Sequence, residues 1–302
     1  MNNLYIIGNG FDLHHGIKSS YAHFRGWVKR NDTEVFQAVT DKEIFTVEEN
    51  WSDFEDSLAT LNSEVVRERC SDYLVSYASD AWSEDYHFMY QEALKEITGI
   101  YSVRLKEVFI EWLHTLDIDA TFDHEKKLNI DIKAKFLSFN YTDILNKFYG
   151  VPGINILHIH GKKEYPDDAI MLGHGCNYES GTNQKIDPES YDHRIDAGEK
   201  VIWEYFKSTY KPAKQILKNN IKFFSNLGKV LNIVVLGHSL SSIDRVYYEE
   251  IVRCIDLTKV NWFVSYYKKT DKTKFTKFFS NLGVDSCRIH LKPISDFKFK
   301  YL

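Results

Sequence analysis

The sequence predicts an α/β protein with a mostly parallel β-sheet, helices on both faces and a large helical insertion. The first observation is a set of short apolar runs typical of buried strands, at Leu4–Ile7, Ala134–Phe139, Ile154–Ile159, Asn232–Leu236 and Val260–Tyr267. The second is that helical patterns occupy most of the chain between these runs. Strands that alternate with helices form parallel sheets, and ligands bind such sheets beyond the carboxyl ends of the strands.

The spacing of the runs predicts a core domain that is interrupted by insertions. Residues 1–25 and 131–302 are expected to form the core. Residues 26–130 carry mainly helical patterns and are expected to form a separate helical insertion. A polar loop followed by a helix indicates a further insertion within the core, over residues 176–228.

Composition and charge exclude several classes of protein. The 302 residues include 38 Lys and Arg against 43 Asp and Glu, so no broad nucleic-acid-binding surface is predicted. No apolar run has the length of about 18 residues that a membrane span needs, and none resembles a signal peptide. We therefore expect a cytoplasmic protein. The cysteines show no metal-ligand spacing and no disulfide framework, and no metal is predicted; they are Cys70, Cys176, Cys254 and Cys287.

The first predicted strand ends in a glycine-rich turn. Gly8 and Gly10 follow Leu4–Ile7 directly, and Gly16 lies a few residues further along. Glycines allow the backbone to approach a ligand closely, and the N–H groups at the start of a helix attract phosphate. The turn therefore indicates a phosphate site, although a tight turn without a ligand would have the same sequence.

Polar residues follow the next three predicted strands as well. Asn140–Asp143 follows the second strand, His160 and Gly161 follow the third, and Gly237–Leu240 follows the fourth, with Asp244 shortly after. A glycine followed by a small hydroxyl suits a second contact to a phosphate or a ribose. Because the carboxyl ends of parallel strands meet at one edge of the sheet, we expect these residues to share one pocket.

The order of these motifs resembles a known family. The glycine spacing of the first turn, the asparagine loop, the His-Gly pair and the Gly-x-Ser-Leu turn are similar to the sirtuin pattern. Together with Trp51–Glu55 they resemble more closely the AbiH family, which is associated with bacterial abortive infection against phage and is regarded as SIR2-like. The resemblance extends from residue 4 to about residue 267. It implies a Rossmann-like (SIR2-like) fold and NAD as the substrate.

The resemblance implies that Asn140 and His160 are catalytic. The nicotinamide ring of NAD is already cationic, and it becomes neutral when it leaves. Cleavage of its bond to ribose therefore needs no general acid. Asn140 has both donors and an acceptor, so it can orient an attacking water or a ribose hydroxyl. His160 titrates near neutral pH, so it can accept the proton that the attacking water releases.

The remaining NAD contacts are expected at the same strand ends. Backbone N–H groups of the first turn would hold the diphosphate. The carboxylate of Asp12 would repel a diphosphate, so we expect it to complement the start of a helix, with a contact to ribose or nicotinamide as the second possibility. For each residue predicted to contact NAD, a structural role as a turn, cap or core residue stays open. The predicted NAD-binding residues are Gly8, Asn9, Gly10, Phe11, Asp12, Tyr21, Tyr141, Gly237, Ser239 and Asp244.

The predicted function is NAD glycohydrolase activity in antiphage defence, with nicotinamide and ADP-ribose as products. Sirtuin deacylases carry a four-cysteine zinc module that this chain lacks, which favours water over an acyl-lysine as the acceptor. The chain also differs at Lys18–His23, which intervene before the Phe-Arg pair. Homo-oligomers or a defence-system partner are expected. The main alternative is a non-catalytic sensor that binds NAD or ADP-ribose; a metallophosphoesterase or a dinucleotide dehydrogenase fits the motifs less well.

Overall fold

The fold is an α/β fold built on one parallel sheet, in a computed structural model that describes residues 2–166, 169–176 and 191–297. The strands pair in the order β3-β2-β1-β4-β5-β6, and every neighbouring pair is parallel. The predicted fold class is confirmed. The strands are β1 Asn3–Ile7, β2 Lys135–Ser138, β3 Ile156–His158, β4 Asn232–Leu236, β5 Asn261–Tyr266 and β6 Ile289–Pro293.

Strand β1 lies at the centre of the sheet, between β2 and β4, and all five of its residues are buried. Its side chains alternate between two apolar cores. Leu4 and Ile6 join the core on one face, and Tyr5 and Ile7 join the core on the other. A parallel strand that is covered on both faces has a continuous apolar sequence, and this explains the run that begins the chain.

Helices occupy most of the remaining described residues. Within the part of the chain that the structure describes, no helix is both long and apolar enough to cross a membrane. The α-helices are α1 Asn9–His14, α2 Tyr21–Asn31, α3 Thr33–Thr40, α4 Phe54–Ser57, α5 Ser63–Arg69, α6 Tyr86–Gly99, α7 Leu105–Thr115, α8 Ile118–Thr121, α9 Ile144–Lys147, α10 His193–Ser208, α11 Ala213–Asn219, α12 Ile221–Ser225, α13 Arg245–Cys254 and α14 Asp271–Ser280.

The chain divides into two compact units. The first unit contains the whole sheet and consists of Met1–Ser20, Leu113–Met171 and Pro212–Leu302. The second unit is helical and consists of Tyr21–Trp112 and Leu172–Lys211. The helical unit therefore combines two separate segments of the chain, whereas the sequence predicted a helical insertion over residues 26–130 and a further insertion within the core over residues 176–228.

Within the second unit, Glu55 is the centre of a polar cluster. The hydroxyl of Tyr21 donates a hydrogen bond to one carboxylate oxygen of Glu55, and the ammonium of Lys211 donates to the other. The Lys211 side chain is only 1% exposed, so the ion pair is buried. Removing one partner of a buried pair leaves an uncompensated charge, which costs about 3–5 kcal/mol. The Tyr21 hydroxyl is thus part of the internal bonding of this unit.

Candidate functional site

The glycine-rich turn after β1 packs directly against the turn after β4. The Gly8 N–H donates to the carbonyl of Leu236 at 2.9 Å, and the Gly10 N–H donates to the carbonyl of Gly237 at 2.8 Å. Gly237 has a φ of +67°, and a Cβ on it would lie 2.1 Å from the Phe11 nitrogen. Only glycine allows two backbones to approach this closely with a left-handed conformation.

The backbone N–H groups of the first turn have partners within the protein. The N–H groups of Gly8 and Gly10 already donate to carbonyls of the β4 turn, and the Phe11 N–H donates to the Gly8 carbonyl at 2.9 Å. A diphosphate could use these N–H groups only if those hydrogen bonds were broken. The Phe11 ring is 0% exposed and packs against His15 and Tyr149, so it is a core residue here. The structural role of these residues is visible, and their contact with NAD stays a prediction.

Asp12 fixes the side chains of two residues that follow β2. Its Oδ1 accepts a hydrogen bond from Asn140 Nδ2 at 2.6 Å, and its Oδ2 accepts one from Thr142 Oγ1 at 2.6 Å. Asn140 Nδ2 also donates to the carbonyl of Gly8 at 3.1 Å. Asp12 does lie in the first turn of α1, as expected, but its carboxylate serves Asn140 and Thr142 and makes no capping hydrogen bond.

These contacts determine how the Asn140 carboxamide is oriented. Both hydrogens of Nδ2 point at acceptors, so Oδ1 faces the other way. Asn140 is only 5% exposed, and among the described residues its Oδ1 has no hydrogen-bond partner. Buried polar atoms are nearly always paired in native proteins. The site therefore presents an acceptor for a group that donates a hydrogen bond, such as a hydroxyl or a water molecule.

Burial raises the pKa of the Asp12 carboxyl to about 7. The hydrogen bonds from Thr142 and Asn140 favour the charged form and oppose this rise, and the nearby charge of Asp143 adds to it. The carboxyl therefore changes its charge within the physiological range. A carboxylate is the form that accepts from both neighbours, so the charged form gives Asn140 its fixed orientation.

Asp12→Asn should make the stability of the protein less dependent on pH. The folded-state pKa of about 7 lies above the unfolded value of about 4, so Asp12 contributes stability that is present below about pH 4 and is lost as the pH rises through about 7. In Asp12→Asn, the Thr142 hydroxyl can rotate and accept a hydrogen bond from the new amide. Between pH 4 and 8 we expect the free energy of unfolding of the wild type to fall, relative to this variant, by up to about 4 kcal/mol. Urea unfolding across this range measures the difference, and parallel curves would contradict the expectation.

A second polar cluster surrounds Asp244, which immediately precedes α13. Asp244 Oδ1 lies 3.6 Å from His160 Nε2, and Asp244 Oδ2 lies 3.5 Å from His238 Nε2. The hydroxyl of Ser241 also donates to Oδ2 at 2.9 Å. His160 and His238 are both buried. One carboxylate thus lies between two imidazoles, which come from the ends of β3 and β4.

The two clusters lie side by side at the carboxyl edge of the sheet. Ser138 pairs with His158 in the β2–β3 register, so Asn140 and His160 each follow this pair by two residues. The Phe139 ring packs against the His160 ring at 5.3 Å and against the His238 ring at 4.3 Å. The structure therefore brings Asn140 and His160 to equivalent positions after neighbouring strands, where Asn140 is hydrogen-bonded to Asp12 and His160 lies 3.6 Å from Asp244.

The other predicted NAD contacts have varied surroundings. Asn9 accepts a hydrogen bond from Ser19 at 2.5 Å, and the Tyr141 hydroxyl donates to the carbonyl of Met171 at 2.8 Å. Ser239 is exposed, and its carbonyl accepts from Lys274. Tyr21 belongs to the helical unit. The contact of these residues with NAD stays a prediction.

Three residues of the clusters were not selected from the sequence: Thr142, His238 and Ser241. Thr142 and His238 lie inside the motifs named above, next to residues that were predicted to bind NAD or act in catalysis, and the structure buries both side chains.

His158 is also buried, and burial lowers its pKa to about 4. As a neutral ring it donates from Nδ1 to the Asn140 carbonyl at 3.2 Å, so it supports the backbone of the site.

Over residues 2–166, 169–176 and 191–297, no group of three or more His, Cys, Asp or Glu side chains is arranged to hold a metal ion.

The parallel sheet and the polar residues at its carboxyl edge define an α/β protein of the Rossmann-like class. Residues 4–266 match the family described as bacteriophage abortive infection AbiH. The chain therefore belongs to the AbiH family, and its biological role is in abortive infection, a defence against phage. No curated protein and no solved structure matches the chain.

Proposed function

We propose that this protein is an NAD glycohydrolase that acts in abortive infection by cleaving NAD to nicotinamide and ADP-ribose. The observation that carries the proposal is the buried Oδ1 of Asn140, which is held in place and has no partner among the described residues. An acceptor of this kind suits the hydroxyl of a ribose or a water molecule. His160 lies at the equivalent position on the neighbouring strand.

In the proposed reaction the bond between nicotinamide and the anomeric carbon breaks, and its electrons neutralise the pyridinium ring. A water molecule attacks the same carbon, and the proton it releases passes to His160. Asn140 positions the ribose or the water through Oδ1. Since the leaving group needs no proton, the rate depends on positioning and on charge stabilisation in a site sheltered from bulk water.

Purified protein incubated with NAD tests the proposal by release of nicotinamide, measured by chromatography. We expect Asn140→Ala and His160→Ala each to reduce the rate at least about 100-fold, which is the size of a typical positioning or general-base contribution. Asn219→Ala is the control, because Asn219 is exposed on α11 and belongs to neither cluster. Undiminished cleavage in both site variants would remove Asn140 and His160 from the mechanism.

The same experiment separates the proposed enzyme from a sensor. A sensor would bind NAD or ADP-ribose in calorimetry and release no nicotinamide at any protein concentration. An enzyme that depends on assembly would gain activity per chain as the protein concentration rises. Cleavage that is proportional to concentration would instead indicate that a single chain is sufficient.

A further inference from the structure

We propose that Asp244 is a positioning residue for His160, holding the Nε2 edge of its ring so that the Nδ1 edge carries the lone pair. In the reaction proposed above, on which this part of the inference rests, Nδ1 is then the atom that accepts the proton. This differs from the sequence expectation, in which Asp244 binds NAD.

The hydrogen position on His238 can be read from its neighbours. The Leu240 N–H donates to His238 Nδ1 at 3.0 Å, so Nδ1 is an acceptor. A neutral imidazole that accepts at Nδ1 carries its hydrogen on Nε2. That nitrogen faces Asp244 Oδ2. His238 therefore presents an N–H to the carboxylate, and it holds one side of Asp244 in place.

Both oxygens of Asp244 face neighbouring polar side chains. Oδ2 accepts a hydrogen bond from the Ser241 hydroxyl and faces His238, and Oδ1 faces His160 Nε2. Asp244 occupies the position before α13 that often caps a helix, yet its side chain makes no capping hydrogen bond. A largely buried carboxylate needs donors: the serine donates a hydrogen bond to Oδ2, and the two imidazoles lie at ion-pair distance, His160 at 3.6 Å and His238 at 3.5 Å.

Aromatic packing limits rotation of both rings. The His160 ring contacts the rings of Phe139 and Tyr247, at 5.3 and 5.9 Å between centroids. The His238 ring contacts Phe139 and Tyr248. Rings packed in this way keep the same nitrogen towards Asp244. Among the described residues, the titratable groups that face this cluster include His238 on the β4 turn and Tyr247 and Tyr248 on α13, besides Asp244 itself.

Histidine nitrogen spectra of the full-length protein test the inference without any activity. With ¹⁵N-labelled histidine, His160→Gln identifies the His160 signals. We expect neutral His160 in the wild type to carry its hydrogen on Nε2. In Asp244→Asn the amide can still accept from Nε2 but has no charge, so we expect the titration midpoint of His160 to fall by about 1 pH unit or more. Asp256→Asn, which removes an exposed carboxylate, should leave the midpoint unchanged.

A hydrogen on Nδ1 in the wild type would overturn the inference, and so would an unchanged midpoint in Asp244→Asn. Both spectra can be recorded whether or not NAD is cleaved. If the spectra agree and no nicotinamide is released, the proposed function fails and the pairing of Asp244 with His160 stands. If nicotinamide is released and the midpoint does not move, only the role of Asp244 fails.

Discussion

Gly237→Ala is expected to prevent folding of the sheet unit. The new Cβ would lie 2.1 Å from the Phe11 nitrogen and 2.3 Å from the Gly10 carbonyl carbon, both backbone atoms. The turns after β1 and β4 would have to separate, which breaks the hydrogen bond from Gly10 to Gly237. Steric overlap and the left-handed backbone together should cost about 5 kcal/mol or more. That is comparable to the whole stability of many domains.

Gly150→Ala provides the matched control for backbone strain. Gly150 has a φ of +70°, close to that of Gly237, but a Cβ there meets no atom within 4 Å. We expect this variant to fold and to lose only about 1–2 kcal/mol in urea unfolding followed by circular dichroism. If Gly237→Ala unfolded at the same urea concentration as Gly150→Ala, the close contact between the two turns would be refuted.

Asn140→Asp should destabilise the protein by about 5 kcal/mol at pH 8, although the two side chains have nearly the same shape. The substitution replaces the Nδ2 donor by an oxygen that faces Asp12 Oδ1 at 2.6 Å and the Gly8 carbonyl at 3.1 Å. Two buried carboxylates in contact cannot both ionise without a large cost, so the pKa of at least one rises further. Stability should therefore recover as the pH falls and one proton is shared between them.

Two controls separate charge from shape in this experiment. Asn140→Ala removes the hydrogen bonds without adding a charge, so its loss of stability at pH 8 should be smaller than that of Asn140→Asp. Because the lost hydrogen bond favours the charged form of Asp12, this smaller loss should also ease as the pH falls. Asn219→Asp adds a carboxylate on the exposed face of α11 and should change the urea midpoint very little. An Asn140→Asp protein as stable as the wild type at pH 8 would show that Asp12 and Asn140 are not in contact.

The buried strands could be predicted because both faces of the sheet are covered. β1 and β4 have continuous apolar sequences, and the predicted limits match the observed limits to within one residue. β6 was missed. Its sequence mixes apolar residues with His290 and Lys292, it ends at a proline, and it lies at the edge of the sheet with side chains only partly buried. Local patterns do not distinguish such an edge strand from a loop.

The common edge of the sheet at which these polar residues lie could be predicted, but the hydrogen bonds among them could not. The positions of Asn140 and His160 follow from the strand ends, because parallel strands bring those ends together. The partner of each could not be predicted. Asp12 is 128 residues from Asn140, and nothing in the local pattern indicates that its carboxylate is buried and used as an acceptor. Similarly, the sequence favoured Ser239, because a small hydroxyl near a glycine suits a contact to phosphate or ribose. The burial of His238 could not be predicted, because it depends on how the two turns pack.

The long separation between β1 and its neighbours has a consequence for synthesis. β1 ends at Ile7, whereas β2 begins at Lys135 and β4 at Asn232. Ribosomes add roughly 5–20 residues per second, so the central strand has neither neighbour for several seconds or longer. Asp12 likewise emerges long before Asn140. A translation product that stops before β4 therefore lacks the pairing of β1 with β4 and the polar cluster around Asp244, and both form only late in translation.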